Sequence, residues 1–424
     1  MTFFLNKIFI RHFRKEGIVR YTKNIKWITF ARVTTMFFSL ITTIIIARIL
    51  GPTSFGALTY TMSIVGLFGI IAGLGIDNVV YKELTTEKHN REEILGSALL
   101  LRTMTGLLAF LIVIIFVVFT NESVYIKKLV ILFSFSFLTQ PLLLLSYDFL
   151  KDSESKYVTI AQITTLLISN ILKIGMVYFF NSLTGFILIL VIENIISGFL
   201  YLYQIKKIKK RTIRFSISKR KVFSLLYLAL PLTLYGAFYE IYARIDQIMI
   251  RYYLDVSAVG LYSAAVRLTE IWYIIPNILM GALFPAFIHS KDDSHEYKKR
   301  LILLIGVLTI SSLVISIFIM LTGKLLVSII YGGTFVKAVP ILSVYIFSLF
   351  GSFISFIIYQ DLFIRNKLYT ITLIPLFTAF LNITLNIIFI PKYGVIGAAF
   401  ATVISYSLIP FIYLVLNFPK KKHE

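Results

Sequence analysis

The chain has 424 residues, of which 58% are hydrophobic and only 15% charged, and its mean hydropathy is +0.87. A soluble domain carries about 25% charged and about 45–50% apolar residues, so a soluble enzyme is excluded, and a disordered chain, which needs high charge and little apolar surface, is excluded as well. The net charge is +22 and cysteine is absent, which removes disulfides, thiolate metal sites and a cysteine nucleophile.

The first 26 residues are basic and polar, and the apolar run after them has no small-residue cleavage site. It is therefore expected to be a retained first helix, not a cleaved signal. Apolar runs of about 20 residues cross a hydrocarbon core about 30 Å thick. Such runs fall near 25–49, 57–80, 94–119, 126–149, 157–180, 183–203, 222–250, 259–288, 300–322, 339–362, 369–390 and 394–417. The prediction is twelve transmembrane helices in an all-α integral membrane protein. The runs are too long for strands and lack the alternation of an outer-membrane barrel.

Counting Lys and Arg at the ends of these runs gives thirty on one side and seven on the other. The seven are Arg48, Lys127, Lys128, Arg251, Lys324, Lys337 and Lys392. Basic residues collect on the cytoplasmic side, so both termini are expected there, and the net charge needs no nucleic acid to explain it. The basic stretch 204–221 divides the spans six and six. The expected organisation is an N-terminal segment 1–24, a six-helix bundle 25–203, a linker 204–221, a second bundle 222–417 and a tail 418–424. Leu50-Gly51-Pro52-Thr53-Ser54-Phe55-Gly56 after the first span is echoed by Leu254-Asp255-Val256-Ser257-Ala258-Val259-Gly260 after the seventh, 204 residues later. Paired bundles related in this way are expected to hold a substrate path between them near the midplane. The longest outward loop, about 323–338, is too short for a separate domain.

Ala47-Arg48-Ile49-Leu50-Gly51-Pro52-Thr53-Ser54-Phe55-Gly56 resembles the signature after the first helix of Wzx-type polysaccharide flippases, in the multidrug/oligosaccharidyl-lipid/polysaccharide exporter superfamily. Three further segments are similar to that family in the same order. They are Val259–Ala265 (VGLYSAA), Tyr331–Ala338 (YGGTFVKA) and Asn386–Ala399 (NIIFIPKYGVIGAA). The resemblance runs from about residue 25 to the end of the chain. It implies a MATE-like exporter fold of two pseudo-symmetric six-helix bundles around a cavity. It also implies a polyprenyl-diphosphate-linked oligosaccharide as substrate, a surface polysaccharide (O-antigen or capsule) as product, and a bacterial inner membrane as location. A polysaccharide polymerase and chain-length machinery are the partners it implies, and no cofactor is expected. Gly51, Pro52, Gly56 and Gly260 suit a structural turn, since Pro fixes φ and Gly accepts φ > 0.

A charge at the centre of a membrane helix costs about 2.5–3.5 kcal/mol on insertion scales, so such residues face a wet interior or each other. Arg32, Lys173, Arg244 and Arg267 lie inside spans and are candidates to hold a diphosphate, guanidinium groups being suited to paired phosphate contacts. Glu193, Glu240, Asp246 and Glu270 are candidates to bind a coupling proton or sodium ion, or to form ion pairs. Glu240–Arg244 and Arg267–Glu270 are spaced i,i+4 and i,i+3 and share helix faces, which makes internal pairing an equal alternative for them. Arg32 and Lys173 have no acidic neighbour in sequence and are favoured for phosphate. Arg102 is placed to snorkel to the basic surface. Tyr235, Phe238, Tyr239, Tyr242, Trp272 and Tyr273 cluster on spans seven and eight; aromatic faces can stack on sugars, but most of these are read as helix-interface or belt aromatics. The leading expectation is a flippase embedded in a phospholipid bilayer. The alternatives are a small-molecule exporter of the same superfamily and, third, a membrane-embedded polysaccharide enzyme.

Overall fold

The computed structural model describes residues 15–86, 91–210, 214–289, 294–365 and 367–417. Among these the regular elements are all helical. Eight helices are long and apolar enough to cross a membrane. One of them, Lys26–Thr86, has 61 residues, about 90 Å of helix and several times the depth of a bilayer core. It breaks at Gly51, whose φ of 73° is closed to side chains bearing a Cβ, and Pro52 opens the next helix. It therefore supplies two spans. The third to sixth spans are Arg91–Phe119, Val124–Leu150, Ser155–Phe180 and Leu183–Lys207. The seventh is Lys219–Tyr253 with Pro231 inside it, and the eighth runs from Val256 to His289 through one 3-10 turn at Ile271–Tyr273. The ninth is Ser294–Ile330. The tenth joins Gly333–Tyr345 to Ser348–Ile364 at a 53° bend. Leu368–Tyr393 and the helices from Val395 to Asn417 are the last of the described helices.

The breaks follow local chemistry. Asn181 ends the fifth span in the left-handed region at φ 47°, and the Ser182 hydroxyl accepts from the Gly185 amide to start the sixth. That is why four residues suffice to join two spans. Ser123 and Asp255 cap the fourth and eighth spans in the same way, accepting from Ile126 N and Ala258 N. Gly332 (φ 87°) and Gly394 (φ 61°) close the turns before the tenth and twelfth spans.

The chain forms two compact units. The first holds the described residues of Met1–Ile46 and Phe68–Thr233, and the second those of Ala47–Leu67 and Leu234–Glu424. Ala47–Leu67 thus belong with the second unit and Lys219–Thr233 with the first. In the first unit, Ile76, Val79, Val80 and Leu84 bury against Ile94, Leu95, Ala98, Leu101, Leu225 and Ala229. The end of the basic linker docks at the start of the third span. Ser216 N donates to Glu92 O (3.2 Å) and Ser218 N to Ser97 Oγ (3.2 Å). Gly96 permits this, since a Cβ there would lie 2.3 Å from Ser216 O. Asp148, fully buried at the end of the fourth span, takes two bonds from Arg91 (2.5 and 2.8 Å) and lies 3.5 and 3.7 Å from Lys151 and Lys209. In the second unit, buried Asp361 at the end of the tenth span accepts from Tyr297 (2.7 Å), Tyr413 (2.7 Å) and Arg365 (2.8 Å).

The sequence echo at an offset of 204 has a physical counterpart within the second unit. A Cβ on Gly56 would lie 1.8 Å from Val256 O, and one on Gly260 would lie 2.0 Å from Pro52 O. Residues 52 and 256 are the same 204 apart as residues 56 and 260, so the two contacts are reciprocal, as across a local twofold axis. Thr59 and Ser263, again 204 apart, bond at 3.0 Å. Gly56 and Gly260 therefore serve a close crossing of two helices, while Gly51 and Pro52 make the turn. Phe55 is fully buried beside Tyr331 and Phe335 (ring centroids 6.5 and 6.1 Å), which brings two of the singled-out sequence segments together.

Between 17% and 50% of each apolar window is buried inside the protein. The rest, with residues such as Phe119, Phe179, Leu321 and Phe380, presents hydrocarbon to its surroundings, as lipid-facing helix surfaces must.

Candidate functional site

Among the described residues three polar sites within the spans bear on function, one in the first unit and two in the second. The first is a cavity of about 760 Å³, well within the size of small-molecule sites, about 300–1,000 Å³. Ala31, Arg32 and Thr35 of the first span line it, with Asp77 and Arg102, Tyr147 of the fourth span, Gln162 and Thr165 of the fifth, and Glu193, Asn194 and Ser197 of the sixth. Arg32 is exposed, and among the described residues it has no acidic partner. Lys173, expected beside it as a free cation, is instead buried and paired. Its Nζ lies 2.5 Å from Glu193 Oε1 and 5.6 Å from the centre of the Phe186 ring. Ser169 also donates to that carboxylate. Lys173 and Glu193 are 20 positions apart on neighbouring helices, so no i,i+4 count finds them. Arg102 does not snorkel. It is buried, with Nη1 2.8 Å from Asp77 Oδ2 and 3.4 Å from Gly73 O, and its Nε has no partner among the described residues.

The second site is a pocket of about 210 Å³ in the second unit, lined by Tyr239, Glu240, Arg244, Gln247, Arg267 and Glu270 with Thr59 and Ser263. Both pairs expected from helical spacing are present. Glu240 accepts from Arg244 Nε, and Glu270 from Arg267 Nη1 at 3.1 Å. All four charges face one pocket, which the spacing alone did not reveal. Gly66 makes room for the guanidinium, since a Cβ there would lie 2.6 Å from Arg244 Nε.

The third site surrounds Asp246, which is buried and, among the described residues, without a basic partner. Its carboxylate accepts from Tyr262 Oη (2.5 Å), Asn386 Nδ2 (2.6 Å) and Thr402 Oγ1 (2.6 Å). Asn386 also donates to Asn382 Oδ1 (3.0 Å), while Asn382 Nδ2 and Asn386 Oδ1 have no partner among the described residues. Tyr262 and Asn386 stand in two of the segments that carry the family resemblance, yet sequence reading assigned them no role. The available signal was the pair of amides, Asn382 and Asn386, one turn apart in an otherwise apolar span. The tyrosines of the seventh span fill helix contacts: Tyr235 meets Tyr359 (6.1 Å) and Tyr242 meets Tyr406 (5.4 Å).

Long apolar helices with polar sites inside the helical units are, among the described residues, the architecture of an all-helical integral membrane protein. The fold is that of the MATE exporters and of MurJ. An inward-facing multidrug resistance MATE transporter of the MOP superfamily aligns with a TM-score of 0.72 at 12% identity, over 90% of this chain and 93% of that one. Lipid II flippase MurJ in an inward closed conformation aligns with a TM-score of 0.71 at 18% identity, over 92% and 87%. In sequence, residues 21–291 match the family described as "Polysaccharide biosynthesis protein", and the chain belongs to that family. It is 29% identical over 178 residues to "Probable flippase AglR" of Haloferax volcanii, covering 39% of this chain and 36% of that protein. It is 25% identical over 307 residues to "Succinoglycan biosynthesis transport protein ExoT" of Rhizobium meliloti, covering 68% and 58%. These matches span about a third and somewhat over half of the relatives' own lengths.

Proposed function

We propose that this protein is a flippase that moves a polyprenyl-diphosphate-linked oligosaccharide from the cytoplasmic to the outer leaflet by alternating access, for surface polysaccharide assembly. The observation that carries this reading is the polar cavity of about 760 Å³ inside an apolar bundle, with Arg32 in its lining and, among the described residues, without an acidic partner. A diphosphate moved through hydrocarbon needs such a partner, because an unpaired anion there is prohibitively costly. Family membership and the names of the two relatives support the same reading. The excess of Lys and Arg on one side supports a cell-membrane protein with both ends in the cytoplasm. On this reading the protein is a transporter, not an enzyme.

Of the four intramembrane acids, Asp246 is the one for the coupling proton or sodium ion. Glu193, Glu240 and Glu270 each hold a basic partner. Among the described residues Asp246 accepts only from neutral groups, so charge on its carboxylate is free to be balanced by an ion.

The test uses purified protein in proteoliposomes with a polyprenyl-diphosphate oligosaccharide, scoring the fraction that reaches the far leaflet. Arg32→Ala is expected to reduce translocation at least tenfold with the protein still folded. Undiminished translocation in Arg32→Ala removes that residue from the substrate site. No translocation by the wild type, together with export of a small cationic dye, favours a drug exporter of the same superfamily.

A further inference from the structure

Two of the ion pairs at the first unit's cavity are turned the same way. Asp77 and Arg102 form one, and the side chain of the acid is 41% exposed against 10% for the base. Glu193 and Lys173 form the other, 23% against 7%. In both, the carboxylate is the more exposed member, although Arg102 also reaches the cavity lining. Lys173 does not line the cavity at all; it meets Glu193 from behind. Each carboxylate also keeps accepting capacity. A carboxylate has about four lone-pair sites. Glu193 uses Oε1 for both Lys173 and Ser169, and Asp77 uses Oδ2 for Arg102. Among the described residues Glu193 Oε2 accepts from no donor, while Asp77 is also bonded by the Tyr147 hydroxyl of the same lining and keeps lone pairs beyond those two bonds.

Resting on the flippase reading above, we propose that this cavity selects saccharides without a carboxylate, and that Asp77 and Glu193 are the residues that do so. Their remaining lone pairs accept hydrogen bonds from sugar hydroxyls, or from the ammonium of an amino sugar. A hydroxyl can donate to them, whereas a uronate can offer only a second anion and leaves two like charges facing each other. The diphosphate is not excluded by the same logic, because Arg32 lines the same cavity and its charge is uncommitted. The ligand is thus read in two parts, the phosphate by the free cation and the neutral sugar by the two shielded acids. Gln162 and Asn194, also in the lining, add neutral groups suited to hydroxyls and do not alter the charge preference.

The experiment uses the full chain in proteoliposomes and two probes of equal length on the same polyprenyl diphosphate. One carries only neutral hexoses, and the other has one hexose replaced by its uronic acid. Wild type is expected to translocate the neutral probe about tenfold faster or more. Asp77→Asn and Glu193→Gln each remove an exposed negative charge and leave Arg102 or Lys173 uncompensated. The neutral-to-uronate ratio is therefore expected to fall towards unity or invert in each variant. The ratio is read within each preparation, so partial misfolding lowers both rates and leaves the ratio intact. Equal rates for both probes in the wild type, or an unchanged ratio in both variants, overturn the selectivity and leave the flippase reading standing. Translocation of neither probe by folded wild type overturns both together.

Discussion

Lys173 decides between two roles that sequence alone treated as one. The structure buries it against Glu193 at 2.5 Å, and replacing it with methionine keeps most of its volume while removing the charge. The carboxylate left behind retains the Ser169 hydroxyl but no cation. Breaking a buried pair by removing one partner costs about 3–5 kcal/mol, whereas replacing both members is often near neutral. Lys173→Met is therefore expected to be clearly less stable than wild type, and Lys173→Met/Glu193→Gln to recover most of the loss. Glu193→Gln alone, which strands the buried ammonium, is expected to be destabilised as well. The assay is thermal unfolding of detergent-purified protein, ranking the four midpoints, followed by translocation in proteoliposomes. The double variant should still translocate a neutral substrate, more slowly if Glu193 also reads the sugar. A single variant Lys173→Met as stable as the double would refute the ion-pair reasoning. A double variant of wild-type stability that fails to translocate, while Glu193→Gln alone still does, would return Lys173 to the phosphate site.

Gly260→Ala places a Cβ 2.0 Å from the Pro52 carbonyl, and a backbone atom cannot rotate away. A loss of about 1–3 kcal/mol or more is expected from overpacking, while Gly306→Ala, with nothing within 4 Å, should be neutral or slightly stabilising in the same unfolding assay. Asp246→Asn should leave the fold intact and abolish the dependence of transport on an imposed proton or sodium gradient; a preserved dependence removes Asp246 from coupling. Asp148→Ala leaves Arg91, Lys151 and Lys209 gathered around a vanished acid, and should cost on the order of 3–5 kcal/mol, visible as a lower unfolding midpoint that added salt partly restores.

What the sequence determined by itself was whatever a single helix can encode. Hydropathy runs located the spans, because a helix of about 20 residues must satisfy the bilayer along its own length. The pairs Glu240–Arg244 and Arg267–Glu270 were legible because 3.6 residues per turn puts i+3 and i+4 on one face. The turn at Gly51-Pro52 was legible because the backbone preferences of those residues are local. Tertiary structure alone decided the rest. It joined Lys173 to Glu193 and Arg102 to Asp77, and it gathered Tyr262, Asn386 and Thr402 around Asp246 across 16, 140 and 156 positions. It also turned Gly56 and Gly260 from turn residues into the two sides of one helix crossing. The physical reason is that a helix fixes which residues share a face, while the packing of helices against each other fixes what each face meets, and no local period carries that second piece of information.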